Sequence, residues 1–404
     1  MGDNNKQSSI SGENLIVTGG RVLTPQGFIE HGAVVIKDGI LAYVGGAEAM
    51  PAGLVTADTP VIDATGCVVA PGLLDVHLHG GAGCDVMDAT VDALRTITHA
   101  HGRHGTTGML AATITAAQEH LEEAAAVIRQ VMPLSRQPDW NGAQLLGLHM
   151  EGPYFSVNKR GAQNPAYIRH PDQAEVERII SIIGSGLKHM TIAPELPGAI
   201  EMIRWLKQQG IRVSIGHTEA DYEVTMAAIA AGADHATHTF NAMPALHHRE
   251  PGTVAAVLGD DSVTAEVIAD GIHLHPGAMN LIYKTKGACL TCLVTDAMAA
   301  MDMPDGHYHL GELPVQVIDG AARLENGSLA GSTLTLDRAV KNMVELVGVP
   351  LEEAIRMATY VPARQLNMLE QKGTLAVGKD GDLCIFGADL LCRHTVIAGR
   401  RLVK

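Results

Sequence analysis

Short apolar runs separated by glycine-containing turns mark both ends of the chain. Such runs are Leu15–Val17, Ala33–Ile36, Ile40–Val44, Leu383–Phe386 and Thr395–Gly399. Each has the length of a strand, and dipeptides such as Asp38-Gly39 between them are typical of tight hairpins. Because the two ends share this pattern, we predict one small β-sandwich domain built from residues 1–70 and 373–404.

The middle of the chain, residues 71–372, alternates apolar runs with helix-like segments. Predicted strands are Gly108–Ala112, Leu145–Met150, Met190–Ala193, Val213–Gly216, His235–Thr237, Thr264–Ala269 and Cys289–Thr295. Predicted helices are Gln118–Met132, Ala174–Ile183, Gly198–Gln208 and Tyr222–Ala231. Such alternation favours a parallel sheet with helical crossovers. With the apolar run before His77 there are about eight strands, which favours a (β/α)₈ barrel of the α/β class, the TIM-like fold. An open, doubly wound sheet is the alternative.

Composition and charge narrow the function classes. The chain has 404 residues, of which 46% are hydrophobic and 18% charged, as is ordinary for a globular protein with a large core. The formal net charge of −15 argues against nonspecific binding to nucleic acid or to anionic membranes. No apolar run has the length of a membrane span, Met1–Gln7 lacks a secretory pattern, and the six cysteines are scattered. We therefore expect a cytoplasmic protein.

The Cys289-Leu290-Thr291-Cys292 motif has the C-x-x-C spacing of redox and zinc sites. It lies in an apolar run, residues 288–294, that we predict to be a buried strand. Residues three apart on a strand face opposite sides, so these two thiols would not converge on one metal. We therefore interpret both cysteines as structural.

Six side chains of metal-ligand type recur where the predicted strands end. They are His77, His79, Glu151, His217, His238 and Asp296. The C-terminal strand ends of a barrel form one mouth, where these groups are expected to converge. Taken singly, each has an ordinary explanation, such as an N-cap for Asp296. Six together are costly to bury without a compensating partner, and a divalent cation supplies one.

Imidazole and carboxylate ligands indicate the kind of ion and its chemistry. They suit Zn²⁺, with Fe²⁺, Co²⁺ and Mn²⁺ as alternatives, whereas Mg²⁺ and Ca²⁺ prefer all-oxygen ligands. Such an ion lowers the pKa of bound water from 15.7 to about 7, so that a metal-bound hydroxide becomes available as a nucleophile. Asp296 is then the expected acid/base, which takes a proton from the water and delivers it to a leaving group.

Further segments carry a family resemblance. They are His149–Tyr154, Lys159–Gln163, Gly216–Thr218, His238–Met243, Arg249–Gly252, Asp270–His273, Val294–Ala297 and Leu329–Ser332. Together with the P-G-x-x-D-x-H-x-H run that begins at Pro71, they resemble the amidohydrolase superfamily. Within it, the chain is similar to the N-acetylglucosamine-6-phosphate deacetylase family over nearly its whole length.

The resemblance implies a metal-dependent hydrolase. Its reaction would convert N-acetyl-D-glucosamine 6-phosphate to D-glucosamine 6-phosphate and acetate. In the family pattern Glu151, His217 and His238 hold the main metal, and Asp296 matches the catalytic acid/base that also faces it.

The resemblance also implies where the substrate binds. Positions that match contacts to the sugar or its phosphate are Ala162, Asn241, Ala242, Leu329, Ala330 and Gly331. Arg249 and His273 match a phosphate-binding pair, one or both of which serve the neighbouring subunit of a homodimer. The planar, permanently charged guanidinium of Arg249 is well suited to a phosphate.

Two positions vary within the family. This chain keeps both His77 and His79, so a second metal can bind through them in addition to the essential one. Gln163 stands where some relatives have a histidine that helps to polarise the amide carbonyl, which puts a side-chain role for position 163 in doubt. Because a second metal would supply the missing Lewis acid, we hypothesise two metals.

Two other functions compete with this interpretation. One is deacetylation of N-acetylgalactosamine 6-phosphate, or of another N-acyl amine, on the same scaffold. The other is a noncatalytic barrel, which predicts damage among the metal ligands or at Asp296. The sequence shows no such damage.

Overall fold

The computed structural model describes residues 13–403. Strands occur in every part of this range. In chain order the strands are β1 Leu15–Thr18, β2 Arg21–Thr24, β3 Gly27–Ile29, β4 Gly32–Lys37, β5 Ile40–Gly46, β6 Val61–Asp63, β7 Val68–Pro71, β8 Leu73–Asp75, β9 Gly80–Gly81, β10 Cys84–Asp85, β11 Thr106–Thr113, β12 Gln144–Glu151, β13 Leu187–Ile192, β14 Arg212–Ile215, β15 His235–Ala236, β16 Thr264–Ile268, β17 Thr291–Val294, β18 Gly306–Leu310, β19 Leu313–Ile318, β20 Ala321–Arg323, β21 Leu383–Phe386, β22 Cys392–Ile397 and β23 Arg400–Arg401.

Helices occupy the middle of the chain, between and after the barrel strands. They are α1 Val91–Arg103, α2 Gln118–Leu134, α3 Gln173–Ile183, α4 Ala199–Gln208, α5 Tyr222–Ala231, α6 Gly252–Gly259, α7 Pro276–Leu290, α8 Leu336–Asn342, α9 Leu351–Met357 and α10 Tyr360–Gln365. Several begin at a side-chain cap: Thr90 accepts from the N–H of Ala93, and Asp221 accepts from that of Val224. The four helices predicted from the sequence are confirmed as α2 to α5.

Eight parallel strands form a nearly closed barrel. Hydrogen-bonded neighbours follow the order β8, β11, β12, β13, β14, β15, β16, β17. At the mouth, the first and last strands are joined by the N–H of Asp296, which donates to the carbonyl of His77 over 2.9 Å. All residues of β11 and β12 are buried, as expected for strands that are covered on both faces. The predicted (β/α)₈ barrel is confirmed, and the open sheet is wrong.

A small β domain is built from both ends of the chain. One sheet has the order β23-β22-β21-β7-β2-β3, and a second has the order β5-β4-β1-β6. β21 pairs with β7 in the register Leu383↔Pro71, which joins the C-terminal segment to the N-terminal one. Val34 and Ile385, from the two sheets, belong to one buried apolar cluster. The boundaries after residue 70 and before residue 373 stay predictions, and residues 1–12 and 404 of this domain lie outside the described part.

The C-x-x-C segment differs from the prediction. Helix α7 continues through Cys289 to Leu290, and the strand covers only Thr291–Val294. Gly287, with a φ of 63°, interrupts the helix, so its last turn bends directly into the strand. Cys289 is therefore exposed at a helix end while Cys292 is buried in the barrel, and the single buried strand predicted for both is wrong.

A three-stranded sheet, β18-β19-β20, follows the last barrel strand and was not predicted. Leu310 at the end of β18 reaches the barrel mouth and lines its cavity. Within residues 13–403, none of the helices combines the length and the apolar character needed to cross a membrane.

Candidate metal centre

The six predicted ligand residues meet at the C-terminal ends of the barrel strands. Glu151 is the last residue of β12, whereas His217, His238 and Asp296 each lie two positions beyond a strand end. His77 and His79 follow β8 rather than ending it. All six are buried, with relative exposures between 0% for His77 and 7% for Asp296. The six side chains therefore lie together at the barrel mouth, as expected from the sequence.

Glu151 lies at the centre of the group. Its Oε1 atom lies 3.2 Å from Nε2 of His217, 3.3 Å from Nε2 of His238 and 3.4 Å from Nε2 of His77. Its Oε2 atom lies 3.4 Å from Nε2 of His79. Asp296 Oδ1 closes the group at 3.2 Å from Nε2 of His79 and 3.7 Å from Nε2 of His77.

Hydrogen bonds at the far side of the rings fix their tautomers. Nδ1 of His217 donates to the carbonyl of Lys159 over 2.9 Å, and Nδ1 of His79 donates to that of Ala112 over 3.1 Å. Since a carbonyl only accepts, these Nδ1 atoms are protonated, and Nε2 is the ring nitrogen of each that faces the carboxylates. Such bonds behind a histidine are the usual way to orient a metal ligand.

The geometry fits a divalent metal. Ligand atoms at about 2.0–2.1 Å around a tetrahedral ion lie roughly 3.3 Å apart. The Nε2 atoms of His217 and His238 are 3.1 Å apart, and both lie within 3.3 Å of Glu151 Oε1. Lone pairs that face one another at this distance in a buried site repel unless a cation lies between them. Four groups of three possible donors occur among the described residues, and two of them consist only of predicted ligands: Glu151, His217 and His238, and His77, His79 and Asp296.

The pKa shifts of the buried groups show the same need for positive charge between them. Burial disfavours the charged form of His79, yet hydrogen bonds to Asp296 and Glu151 raise its pKa to about 9. Burial likewise opposes ionisation of Asp296, but the imidazoles of His77 and His79 lower the pKa of that carboxyl. In the absence of a cation, protons on the imidazoles therefore balance the carboxylates.

The backbone is strained where the ligands lie. His217, His238 and Asp296 have φ values of 50°, 28° and 49°, in the left-handed region that non-glycine residues rarely adopt. Ala242, in the loop that follows β15, has a φ of 54°. Left-handed residues at strand ends turn the chain sharply, which aims these side chains back across the mouth.

A cavity of about 370 Å³ opens above the ligands. Predicted site residues that line it are His79, Glu151, Ala162, His217, His238, Asn241, Ala242, His273, Asp296, Leu329 and Gly331. His273 is fixed by Asp270, whose Oδ2 accepts from Nδ1 over 2.6 Å.

Two predicted substrate residues lie elsewhere. Ala330 is fully buried behind the cavity wall, between Leu329 and Gly331. Arg249 is exposed on a loop beside His248 and lies outside the cavity of its own chain.

Two residues support the ligands: sequence reasoning left the role of Gln163 in doubt and did not consider Glu266. The amide of Gln163 donates to Oε2 of Glu151 over 2.6 Å, while its oxygen accepts from the N–H of Thr115 over 2.7 Å, so Gln163 orients the central carboxylate. Glu266, fully buried on β16, bonds His77 and was not singled out. Its signal was present in the sequence, because a charged residue inside an apolar strand needs a partner.

A parallel barrel whose mouth holds buried histidines and carboxylates around a divalent-metal site defines a class of metal-dependent hydrolases. The amidohydrolase family matches residues 68–402, and the chain belongs to that family.

Named relatives indicate which members of the family the chain resembles. The N-acetylglucosamine-6-phosphate deacetylase of Vibrio furnissii is 42% identical over 330 residues, 82% of each chain. The N-acetylgalactosamine-6-phosphate deacetylase of Escherichia coli is 39% identical and covers 94% of this chain and 97% of its own. A solved mutant of the Mycobacterium smegmatis N-acetyl-D-glucosamine-6-phosphate deacetylase, in complex with that sugar phosphate, has a TM-score of 0.89 at 34% identity and covers 97% of this chain and 100% of its own. The resemblance to the deacetylases is confirmed.

A buried histidine behind the His79 loop makes stability depend on pH. Nε2 of His101, on α1, donates to the carbonyl of Gly80 over 2.9 Å, and burial lowers the pKa of His101 to about 4. An unfolded histidine has a pKa near 6.5, so below that value the unfolded chain binds the additional proton. Stability is therefore expected to fall by about 2–3 kcal/mol as the pH drops from 6.5 to 4.5.

Urea unfolding at the two pH values checks this prediction. His101→Gln, which keeps a donor for Gly80, is expected to show a fall smaller by that amount, while exposed His120→Gln keeps the wild-type dependence. The same pH dependence in wild type and His101→Gln would contradict it.

Proposed function

We propose that this chain hydrolyses N-acetyl-D-glucosamine 6-phosphate to D-glucosamine 6-phosphate and acetate. The observation that carries the proposal is the buried set of four imidazoles and two carboxylates beneath an open cavity. Two relatives named for this reaction support the substrate: one is matched in sequence over 82% of its length, and the other shares the fold over its whole length.

The metal roles follow from the two sets of donors. We assign the essential ion to Glu151, His217 and His238, and a second ion to His77 and His79. Zn²⁺ is the proposed ion, because imidazole with carboxylate is a ligand set that it favours. When bound, a divalent ion supplies Lewis acidity that polarises a carbonyl and acidifies water.

Asp296 is the proposed acid/base. Its carboxylate faces both the ligands and the cavity, and the neighbouring imidazoles of His77 and His79 keep it ionised. In this state it accepts a proton from the attacking water and then delivers it to the amine nitrogen as the C–N bond breaks. Gln163 is engaged by Glu151 and Thr115, so we assign it to holding Glu151 rather than to polarising the substrate.

The cavity wall provides the proposed substrate contacts. Asn241 offers an amide to sugar hydroxyls, and Ala162, Ala242 and the 329–331 loop shape the wall around them. His273 is held by Asp270 through Nδ1, and in its protonated form its Nε2 donates to the phosphate. Since Arg249 is exposed away from the cavity of its own chain, we propose that it binds the phosphate in the neighbouring subunit of a homodimer. The cytoplasmic location stays a prediction.

A second candidate substrate is N-acetyl-D-galactosamine 6-phosphate. It is favoured by one observation, the 39% identity to a relative named for that reaction. The two substrates differ only in the orientation of one hydroxyl, so the same metal chemistry serves both.

Acetate release from the two sugar phosphates, on protein of known metal content, tests the proposal. We expect a higher kcat/KM for the gluco substrate, and a preference for the galacto one would favour the alternative. Asp296→Asn should lower kcat by about 10²–10⁴-fold, because the proton transfers lose their carrier. Exposed Asp92→Asn is the control, and near wild-type turnover by Asp296→Asn would exclude the mechanism.

Metal stoichiometry separates the two proposed ions. We expect two equivalents in the wild type, one in His79→Ala, and loss of the essential ion with its activity in His217→Ala. Metal analysis after dialysis, with exposed His120→Ala as the control, measures this. A wild type that is fully active with a single tight equivalent would contradict the second site.

Mixing two variants that are each impaired at low substrate concentration tests the role of Arg249 across subunits. Arg249→Ala should raise KM roughly 10–100-fold, the loss expected for a hydrogen bond to a charged group. Equal mixing with Asp296→Asn, after subunit exchange, should restore about a quarter of wild-type activity, because each mixed dimer contains one complete site. Absence of restoration in confirmed mixed dimers would show that Arg249 acts in its own chain or not at all.

A further inference from the structure

We propose that Glu266 is a positioning residue of the metal centre, which holds His77 by its ring and His238 by its backbone. Through these two contacts it sets the affinity for the ion that His77 binds. The inference rests on the metal roles proposed above and adds a residue that acts from behind the ligands.

The contacts of Glu266 reach both sets of ligands. Its side chain is fully buried on β16, beneath the barrel mouth. Oε2 accepts from Nδ1 of His77 over 3.0 Å and from the backbone N–H of His238 over 3.1 Å. One carboxylate oxygen therefore links a ligand of the second ion to a ligand of the essential one.

The remaining polar atoms of Glu266 fix its orientation. Oε1 accepts from Nε2 of His235 over 2.9 Å, and the main-chain carbonyl accepts from the N–H of Thr239 over 3.0 Å. With both carboxylate oxygens engaged on opposite sides, the group is held in one rotamer. A rigid carboxylate behind a histidine ligand fixes the ring more firmly than a mobile one.

The consequence for His77 is a defined tautomer. A carboxylate at Nδ1 keeps the proton there, so Nε2 presents its lone pair to the centre. This Nε2 is fully buried, lacks a hydrogen-bond donor among the described residues, and lies 3.4 Å from Glu151 and 3.7 Å from Asp296. A negative charge behind the ring also raises its basicity as a ligand.

Charge gives a second, independent argument. Glu266 adds a third buried carboxylate to Glu151 and Asp296, and its partners named above are imidazoles and backbone N–H groups. A desolvated carboxylate without a permanent cation nearby is costly. One divalent ion would leave the three carboxylates with a net charge of −1, and two would leave +1, so either number of ions offsets most of the charge to which Glu266 contributes.

Glu266→Gln is the test, because it keeps the shape of the side chain and removes the charge. Metal-free protein is titrated with Zn²⁺ in a competing chelator, and the visible absorption of the Co²⁺ form reports ligand geometry. The expected result is about 10–100-fold weaker binding of the ion that His77 holds, with a changed Co²⁺ spectrum. The control is Asp337→Asn, another buried carboxylate that bonds a backbone N–H and lies near an imidazole, far from the centre.

A double-mutant cycle with His77→Ala separates positioning from a general structural role. If Glu266 acts through His77, adding Glu266→Gln to His77→Ala should weaken zinc binding much less than it does alone. Thermal unfolding of each variant confirms folding, and Glu266→Asp, which keeps the charge on a shorter arm, replaces Glu266→Gln if the latter does not fold. Unchanged affinity and spectrum, or fully additive losses, would overturn the inference. Failure of the wild type to bind metal would instead overturn the proposed function.

Discussion

The barrel mouth depends on one constraint. Lone pairs and negative charges face one another there in a small buried volume. Glu151 Oε1 lies within 3.4 Å of three ring nitrogens, of which His217 at least presents a lone pair. Such an arrangement is stable only with positive charge between the groups. In the chain by itself that charge must come from protons on imidazoles, as the raised pKa values of His79 and His238, achieved against burial, indicate. A divalent cation held by these residues would replace those protons.

The barrel supplies the rigidity that keeps the repelling groups together. Parallel strands precede His217, His238 and Asp296, and the hydrogen bonds between those strands fix where the backbone leaves the sheet. At all three residues the backbone is in the left-handed region. Strain of this kind costs about 1–3 kcal/mol at each residue and persists only where the surroundings over-determine the conformation. The N–H of Asp296, in the strained turn after β17, donates to the carbonyl of His77, in the segment after β8. The strained turn and the closure of the barrel therefore stabilise each other.

The sequence predicted the barrel, the small β domain and the convergence of six residues of metal-ligand type, but not the residues that support them. Each apolar run predicts a strand, and the residues of metal-ligand type that follow its end could be identified individually. The contacts of Gln163 and Glu266 could not be predicted, because their partners, Glu151 and His77, are 12 and 189 residues away and only the fold brings them together. Cys289 was misplaced for a local reason, since an apolar β-branched run does not reveal that a glycine kink ends the helix inside it.

Electrostatics supports the proposed role of Arg249 in a neighbouring subunit. Among the residues that line the cavity, Lys159 is the one permanent cation, beside the carboxylates of Glu151 and Asp296. Lys159 is itself tied to the carbonyl of Met243, which keeps its ammonium at the wall. A phosphate entering an acidic protein of formal charge −15 therefore needs positive charge from outside this set. In the proposed function, metal ions at the bottom and the guanidinium of Arg249 from a neighbouring subunit would provide that charge from opposite ends.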